Sequence, residues 1–206
     1  MWLPVLVTIL TGYLLGNLNG AVSVSQMLND DVRHHGSGNA GLTNFIRSYG
    51  TGSSLFVIFV DAIKAVLACL VGQLALQSYG YGQEGAILGG VAVSLGHDFP
   101  ALLGFKGGKG ILCGLAIAAV VDYRCALVIL AVFVVLVVLT RYVSLGSVIA
   151  ALTFSGFFAV MYYDRLVIMI CGVFIGLMAV FMHRGNIVRL LKGTERKFSF
   201  KKESAQ

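Results

Sequence analysis

The stretch ILCGLAIAAVVDYRCALVILAVFVVLVVL, residues 111–139, is apolar except where Asp122-Tyr123-Arg124 interrupts it. As one helix it is ample for a hydrocarbon core about 30 Å thick; cut at Asp122, each half is short for a crossing. The two readings send the following loops to opposite sides, and the basic residues arbitrate. With the cut, seven apolar segments run at about 2–28, 53–78, 86–104, 110–122, 125–140, 143–163 and 166–183. The inside loops then hold Arg33, Arg47, Lys106, Lys109, Arg141 and seven Lys/Arg of the tail, twelve in all, against Arg124 and Arg165 outside and Lys64 within a span. Without the cut, the seven-charge tail would lie outside, against the tendency of Lys and Arg to stay on the cytoplasmic side. The sequence therefore predicts an all-α integral membrane protein of seven transmembrane helices, N-terminus outside and C-terminus cytoplasmic. Its polar clusters, at 29–52, 104–110, 140–147 and 183–196, all fall on the cytoplasmic face.

Composition agrees. The 206 residues are 58% hydrophobic and only 12% charged, about half the charged fraction of a soluble domain. Apolar runs leave no room for a separate soluble domain, so residues 1–206 are expected to form one polytopic membrane domain. The net charge of +6 is spread over short loops and a tail, which suits anionic lipid headgroups and anionic substrates better than nucleic acid. Cys69, Cys113, Cys125 and Cys171 lie in or beside apolar segments without metal-ligand spacing and read as packing residues. The first apolar run lacks a basic region before it and a small-residue cleavage signal, so it reads as a span.

The polar clusters carry the chemistry. In Gly36-Ser37-Gly38-Asn39-Ala40-Gly41-Leu42-Thr43-Asn44-Phe45-Ile46-Arg47, a turn leads into a short helix on which Thr43, Asn44 and Arg47 share a face. Helix-start N–H groups, hydroxyls, an amide and a guanidinium together make an anion site; the plain alternative is an interfacial loop with ordinary caps. Gly104-Phe105-Lys106-Gly107-Gly108-Lys109-Gly110 places two ammonium groups among four glycines, a candidate phosphate cradle or simply a flexible loop. It is not a nucleotide-binding P-loop, because Leu103 stands where the first glycine belongs and Gly110 where a magnesium-binding hydroxyl belongs. Ser144 and Ser147 share a face at the start of the sixth span, as caps or as phosphate donors. His183, Asn186 and Arg189 line one side of the helix that leaves the last span.

Two buried-looking groups read as structural. Asp61 and Lys64, three residues apart within a span, are expected to pair with each other, since lone charges in a membrane are costly. His97, beside Asp98 and Pro100 at a span end, reads as a structural histidine more than as a base.

Taken together, Gly-Ser-Gly-Asn…Thr-Asn…Arg (36–47), Gly-His…Phe-Pro…Phe-Lys-Gly-Gly-Lys-Gly (96–110) and His-Arg…Asn-Ile…Arg-Leu-Leu…Gly-Thr-Glu (183–195) resemble one family over nearly the whole chain: the bacterial acyl-phosphate-dependent glycerol-3-phosphate acyltransferases, PlsY. The resemblance implies acyl transfer from acyl phosphate to the sn-1 hydroxyl of glycerol 3-phosphate, giving lysophosphatidate and inorganic phosphate at the bacterial inner membrane. It implies no cofactor, no metal and no obligatory protein partner. The chain departs from the family's Gly-Ser-x-Pro in the first span, where it has Gly16-Asn17-Leu18-Asn19-Gly20, and is apolar at Ile111-Leu112-Cys113.

Acyl phosphate is already activated, so such an enzyme needs positioning and charge neutralisation more than a nucleophile. The residues accord with that: there is no Ser-His-Asp or Cys-His arrangement, and none of His34, His35, His97 and His183 has Asp five residues later, the pair used by acyl-CoA and acyl-carrier-protein enzymes. The catalytic set expected is His183, Asn186, Lys106 and Arg47. The phosphates fall to Ser37, Gly38, Asn39, Thr43, Asn44, Gly107, Gly108, Lys109, Gly110, Ser144 and Ser147. The general base is His183 or the substrate's own phosphate. The alternative function is a transporter or channel for a phosphorylated anion, which calls for polar groups reachable from both faces; a structural membrane partner would leave the donor-rich loops unexplained.

Overall fold

Every regular element in the computed structural model, which describes residues 1–198, is helical. In chain order these are α1 (Trp2–Asn17), α2 (Gly20–Met27), α3 (Leu42–Tyr49), α4 (Ser54–Gln77), α5 (Gly82–Asp98), α6 (Ile111–Val121), α7 (Tyr123–Thr140), α8 (Val143–Met161), α9 (Leu166–Met182) and α10 (Arg184–Leu191), with short 3-10 turns at Val32–His34 and Ala101–Leu103. Four helices are long and apolar enough to cross a membrane, and the count among the described residues rises to six if α1–α2 and α9–α10, bent by 40° and 56°, are each one broken span. The stretch 111–139 is indeed cut: Asp122 starts α7, its carboxylate accepting from the Arg124 N–H at 2.9 Å. That leaves α6 with 11 residues, about 16 Å at 1.5 Å per residue, roughly half the thickness of a hydrocarbon core. Of the seven tail charges, Lys201 and Lys202 lie outside the described residues.

Inside a bilayer, burying apolar surface draws no helices together, so close backbone approach has to do it. α4 and α5 show how: a β-carbon on Gly72 would lie 2.0 Å from the Gly85 carbonyl oxygen, and one on Gly85 equally close to that of Gly72. α1 lies against both. A core of Ala65, Ala68, Ile87, Val93, Ile117, Phe154 and Phe158 continues from there towards α6, α8 and α9.

The first span breaks without proline. After Asn17 the chain is extended at Leu18, and Asn19 restarts it by capping α2, its Oδ1 accepting from the Val22 N–H at 3.0 Å while its Nδ2 donates to the Ala40 carbonyl at 3.0 Å. Asn17 ties the other side, donating to the Tyr13 carbonyl at 2.7 Å and accepting from the Leu102 N–H at 3.0 Å. The break exposes carbonyls at the end of α1, and Lys64 answers them. Its ammonium donates to the carbonyls of Leu18 and of Gly16 (3.4 Å), pairs with Asp61 at 2.8 Å and donates to His97 Nδ1 at 2.8 Å. Asp61 also accepts from the Gly20 N–H at 3.0 Å, so the first turn of α2 is satisfied as well. The expected Asp61–Lys64 pair is present, and it staples the broken span to α4 and α5.

Candidate active site

One cavity of about 460 Å³ gathers the polar clusters. Its mouth is formed by residues 36–47, by Lys109 and Gly110, by the start of α8, and by α10 with residues 194–196; its interior runs between α6, α7, α8 and α9.

The loop before α3 is wound on Asn44. This amide, 2% exposed, donates to the carbonyls of Val32 (3.0 Å), His35 (3.0 Å) and Asn39 (3.1 Å) and accepts from the Ser37 N–H at 2.9 Å. Asn44 borders the cavity, but its Nδ2 hydrogens are spent on backbone carbonyls, so it shapes the loop where the sequence reading had it hold the anion. Ser37, Asn39, Thr43 and Arg47 remain on the cavity wall; Gly38, in a left-handed turn at φ +70°, is not on it.

The glycine-rich loop also differs from expectation. Lys106 is exposed and does not line the cavity, because the chain turns outward through two successive left-handed residues, Gly104 (φ +66°) and Phe105 (φ +59°). Gly107 and Gly108 do not wrap an anion; they lie on the end of α5. A β-carbon on Gly108 would come 2.1 Å from His97 Nε2, and the Gly108 N–H donates to the His97 carbonyl at 3.0 Å. These glycines let the loop sit flat on His97, and only Lys109 and Gly110 reach the wall.

Lys109 heads a network on the cavity wall. Its ammonium donates to Asn186 Oδ1 at 2.5 Å, Asn186 Nδ2 donates to Glu195 at 2.8 Å, and Arg189 Nε donates to the other Glu195 oxygen at 2.7 Å. Burial, aided by repulsion from Arg189, Arg47 and Arg184 against the opposing pull of Glu195, lowers the Lys109 pKa to about 8. Burial would raise the Glu195 pKa, but the hydrogen bonds from Asn186 and Arg189 and the neighbouring Ser144 hydroxyl dipole outweigh it and keep the carboxyl below its usual range. Such a site concentrates positive charge where a dianion would sit. Ser144 and Ser147, both buried, stand on its α8 side.

His183, at the bend between α9 and α10, is 5% exposed and lines the same wall. Its Nδ1 lies 2.8 Å from the Ala179 carbonyl, which only accepts. The hydrogen therefore belongs on Nδ1, and Nε2 of the neutral ring is left as an acceptor.

The chain belongs to the glycerol-3-phosphate acyltransferase family. The family's model, described as glycerol-3-phosphate acyltransferase, matches residues 6–193. The chain is similar to the glycerol-3-phosphate acyltransferase of Thermoanaerobacter sp. (strain X514), 39% identical over 197 residues that cover 95% of this chain and 96% of that one. It resembles that of Clostridioides difficile (strain 630) at 38% over 193 residues, 93% and 94% of the two chains. Among solved structures it resembles PlsY (YgiH), an integral membrane glycerol 3-phosphate acyltransferase, in its glycerol 3-phosphate form: TM-score 0.84, 31% identity, 95% of this chain and 96% of that one. The lysophosphatidic acid form of PlsY gives a TM-score of 0.81 over the same shares.

What polar pattern did not reveal is the rest of this family member's cavity. Ile129, Phe133, Phe154, Ile175 and Ala179 line its interior, and no feature of their spans separates them from other apolar residues.

Proposed function

We propose that the protein transfers a fatty acyl group from acyl phosphate to the sn-1 hydroxyl of glycerol 3-phosphate, directly and without an acyl-enzyme, releasing lysophosphatidate and inorganic phosphate. The observation that carries this is a cavity with a cationic mouth and an apolar interior, which suits a donor that is phosphate at one end and hydrocarbon at the other. Lys109, Arg47 and Arg189, with Ser37, Asn39, Thr43, Gly110, Ser144 and Ser147, hold the two phosphates, and Asn186 orients Lys109 and the acceptor. The sn-1 oxygen attacks the acyl carbonyl carbon; the new ester C–O bond forms as the bond from that carbon to the phosphate oxygen breaks. The hydroxyl proton passes to His183 Nε2 or to a phosphate oxygen of the substrate. Lys109 neutralises the charge that grows on the departing phosphate, where fixed cations serve best.

The protein functions as one membrane domain, residues 1–206. It crosses a bacterial plasma membrane seven times, α6 serving as a short span, with the N-terminus outside and the site facing the cytoplasm. The transport alternative calls for a polar route between the faces; the cavity instead ends on Ile129, Phe154 and Ile175 in the apolar core.

The donor is tested by supplying purified protein and glycerol 3-phosphate with acyl phosphate, acyl-CoA or acyl-carrier protein. Lysophosphatidate forms with acyl phosphate alone; equal rates from a thioester would overturn the assignment. His183→Asn separates the two bases: a loss of about 10²–10⁴ in turnover makes His183 the base, whereas near-normal turnover assigns the proton to the substrate phosphate.

A further inference from the structure

The cavity has a floor. Along α8, Ser144, Ser147, Ala150, Ala151 and Phe154 line it and nothing deeper on that helix does. Ten residues separate Ser144 from Phe154, a depth of about 15 Å at 1.5 Å per residue. At that depth Phe154, Ile129 and Ile175 are all at most 6% exposed and belong at once to the wall and to the packed core, so they form the boundary where open space stops.

The floor is also braced. The Phe154 ring lies 4.9 Å from that of Phe158, which stacks at 5.3 Å on Tyr162. Phe158 is seated against α9 at Gly172, where a β-carbon would come 2.3 Å from its ring. Tyr162 is fixed in turn, its hydroxyl donating to Asp122 at 3.0 Å. An aromatic column held at its far end does not yield to a chain pressing on its near end.

We infer that Phe154 is a specificity-determining residue that sets the upper length of the acyl chain the site accepts. This rests on the proposed acyl transfer, with the chain lying in the apolar interior. Removing the ring deepens the cavity, and enlarging Ala150, one turn nearer the mouth, shallows it.

The test is a series of saturated acyl phosphates of increasing length, assayed at fixed glycerol 3-phosphate with the wild type, Phe154→Ala and Ala150→Leu. Phe154→Ala raises the ratio of kcat/KM for long over short donors by about tenfold, and Ala150→Leu lowers it by a similar factor, the scale at which a pocket resolves small changes in apolar length. A ratio is insensitive to a general loss of folded protein, and Ala150→Leu carries the test by itself if Phe154→Ala does not fold. Equal loss for every donor in both variants would overturn the inference. A wild type that turns over no acyl phosphate of any length would instead overturn the acyl-transfer reading beneath it.

Discussion

Two polar clusters use much the same residue types to opposite ends. At the break of the first span, Lys64, Asp61 and His97 are bound to one another and to the loose backbone ends of α1 and α2. Asp61 and His97 border the cavity, yet Asp61 Oδ1 and His97 Nδ1 are engaged by Lys64. At the mouth, Lys109 and Arg189 share one carboxylate among the described residues, Glu195, through Asn186 and directly. The first cluster balances its charges internally, so it holds the fold; the second, among the described residues, carries an excess of cations, so it suits anions brought by a substrate. A charged residue in an apolar protein is read correctly only once its partners are counted.

The comparison breaks most readily at Lys64. Lys64→Met leaves Asp61 buried without its cation and is expected to cost about 3–5 kcal/mol of stability, measured by denaturation in detergent. Adding Asp61→Asn recovers part of it. Full stability in Lys64→Met would mean that the break is not held by this pair.

At the mouth the loss is of a different kind. Lys109→Ala lowers kcat/KM by about 10²–10³ with little change in melting temperature, the reverse of the Lys64 pattern. A Lys109→Ala variant that melts early but turns over normally would exchange the roles of the two lysines.

The pH profile sharpens the contrast. Lys109 titrates at about 8, below its ordinary 10.5, so the free site loses its cation as pH rises through that value. Substrate anions favour the charged form, so kcat/KM falls about tenfold per unit above pH 8. Folding has the opposite sign, since between pH 8 and 10.5 the unfolded chain binds the proton that the folded chain has lost, and stability from this group rises with pH. Lys109→Arg stays charged throughout and removes the alkaline fall. The smallest effect belongs to Lys106→Ala, which is expected to leave both kinetics and stability nearly unchanged because that side chain is exposed away from the cavity.

Helices were the most legible part of this sequence. The runs expected at 53–78 and 143–163 became Ser54–Gln77 and Val143–Met161, because a long apolar run bounded by Gly, Ser or a charge has few alternatives. Roles within the loops were less legible. An amide offers the same donors whether it faces a ligand or backbone, and nothing in the sequence told that Asn44 would bind four backbone groups. Glycine is equally ambiguous, since it admits a ligand or a neighbouring side chain, and at Gly108 the neighbour is His97. The missing proline of the first span proved immaterial to the break, which Asn17 and Asn19 make by side-chain bonding. The floor at Phe154 was beyond sequence reading, for a phenylalanine facing a cavity and one facing the core have the same neighbours in the chain.

Direct transfer between two bound phosphates is tested most plainly by inorganic phosphate release from acyl phosphate, followed over the first turnover with and without glycerol 3-phosphate. With both substrates, phosphate and lysophosphatidate appear in equal amounts; with acyl phosphate alone, no phosphate is released. A burst of one equivalent of phosphate without glycerol 3-phosphate would show an acyl-enzyme and contradict direct transfer, and no release under either condition would contradict the reaction itself.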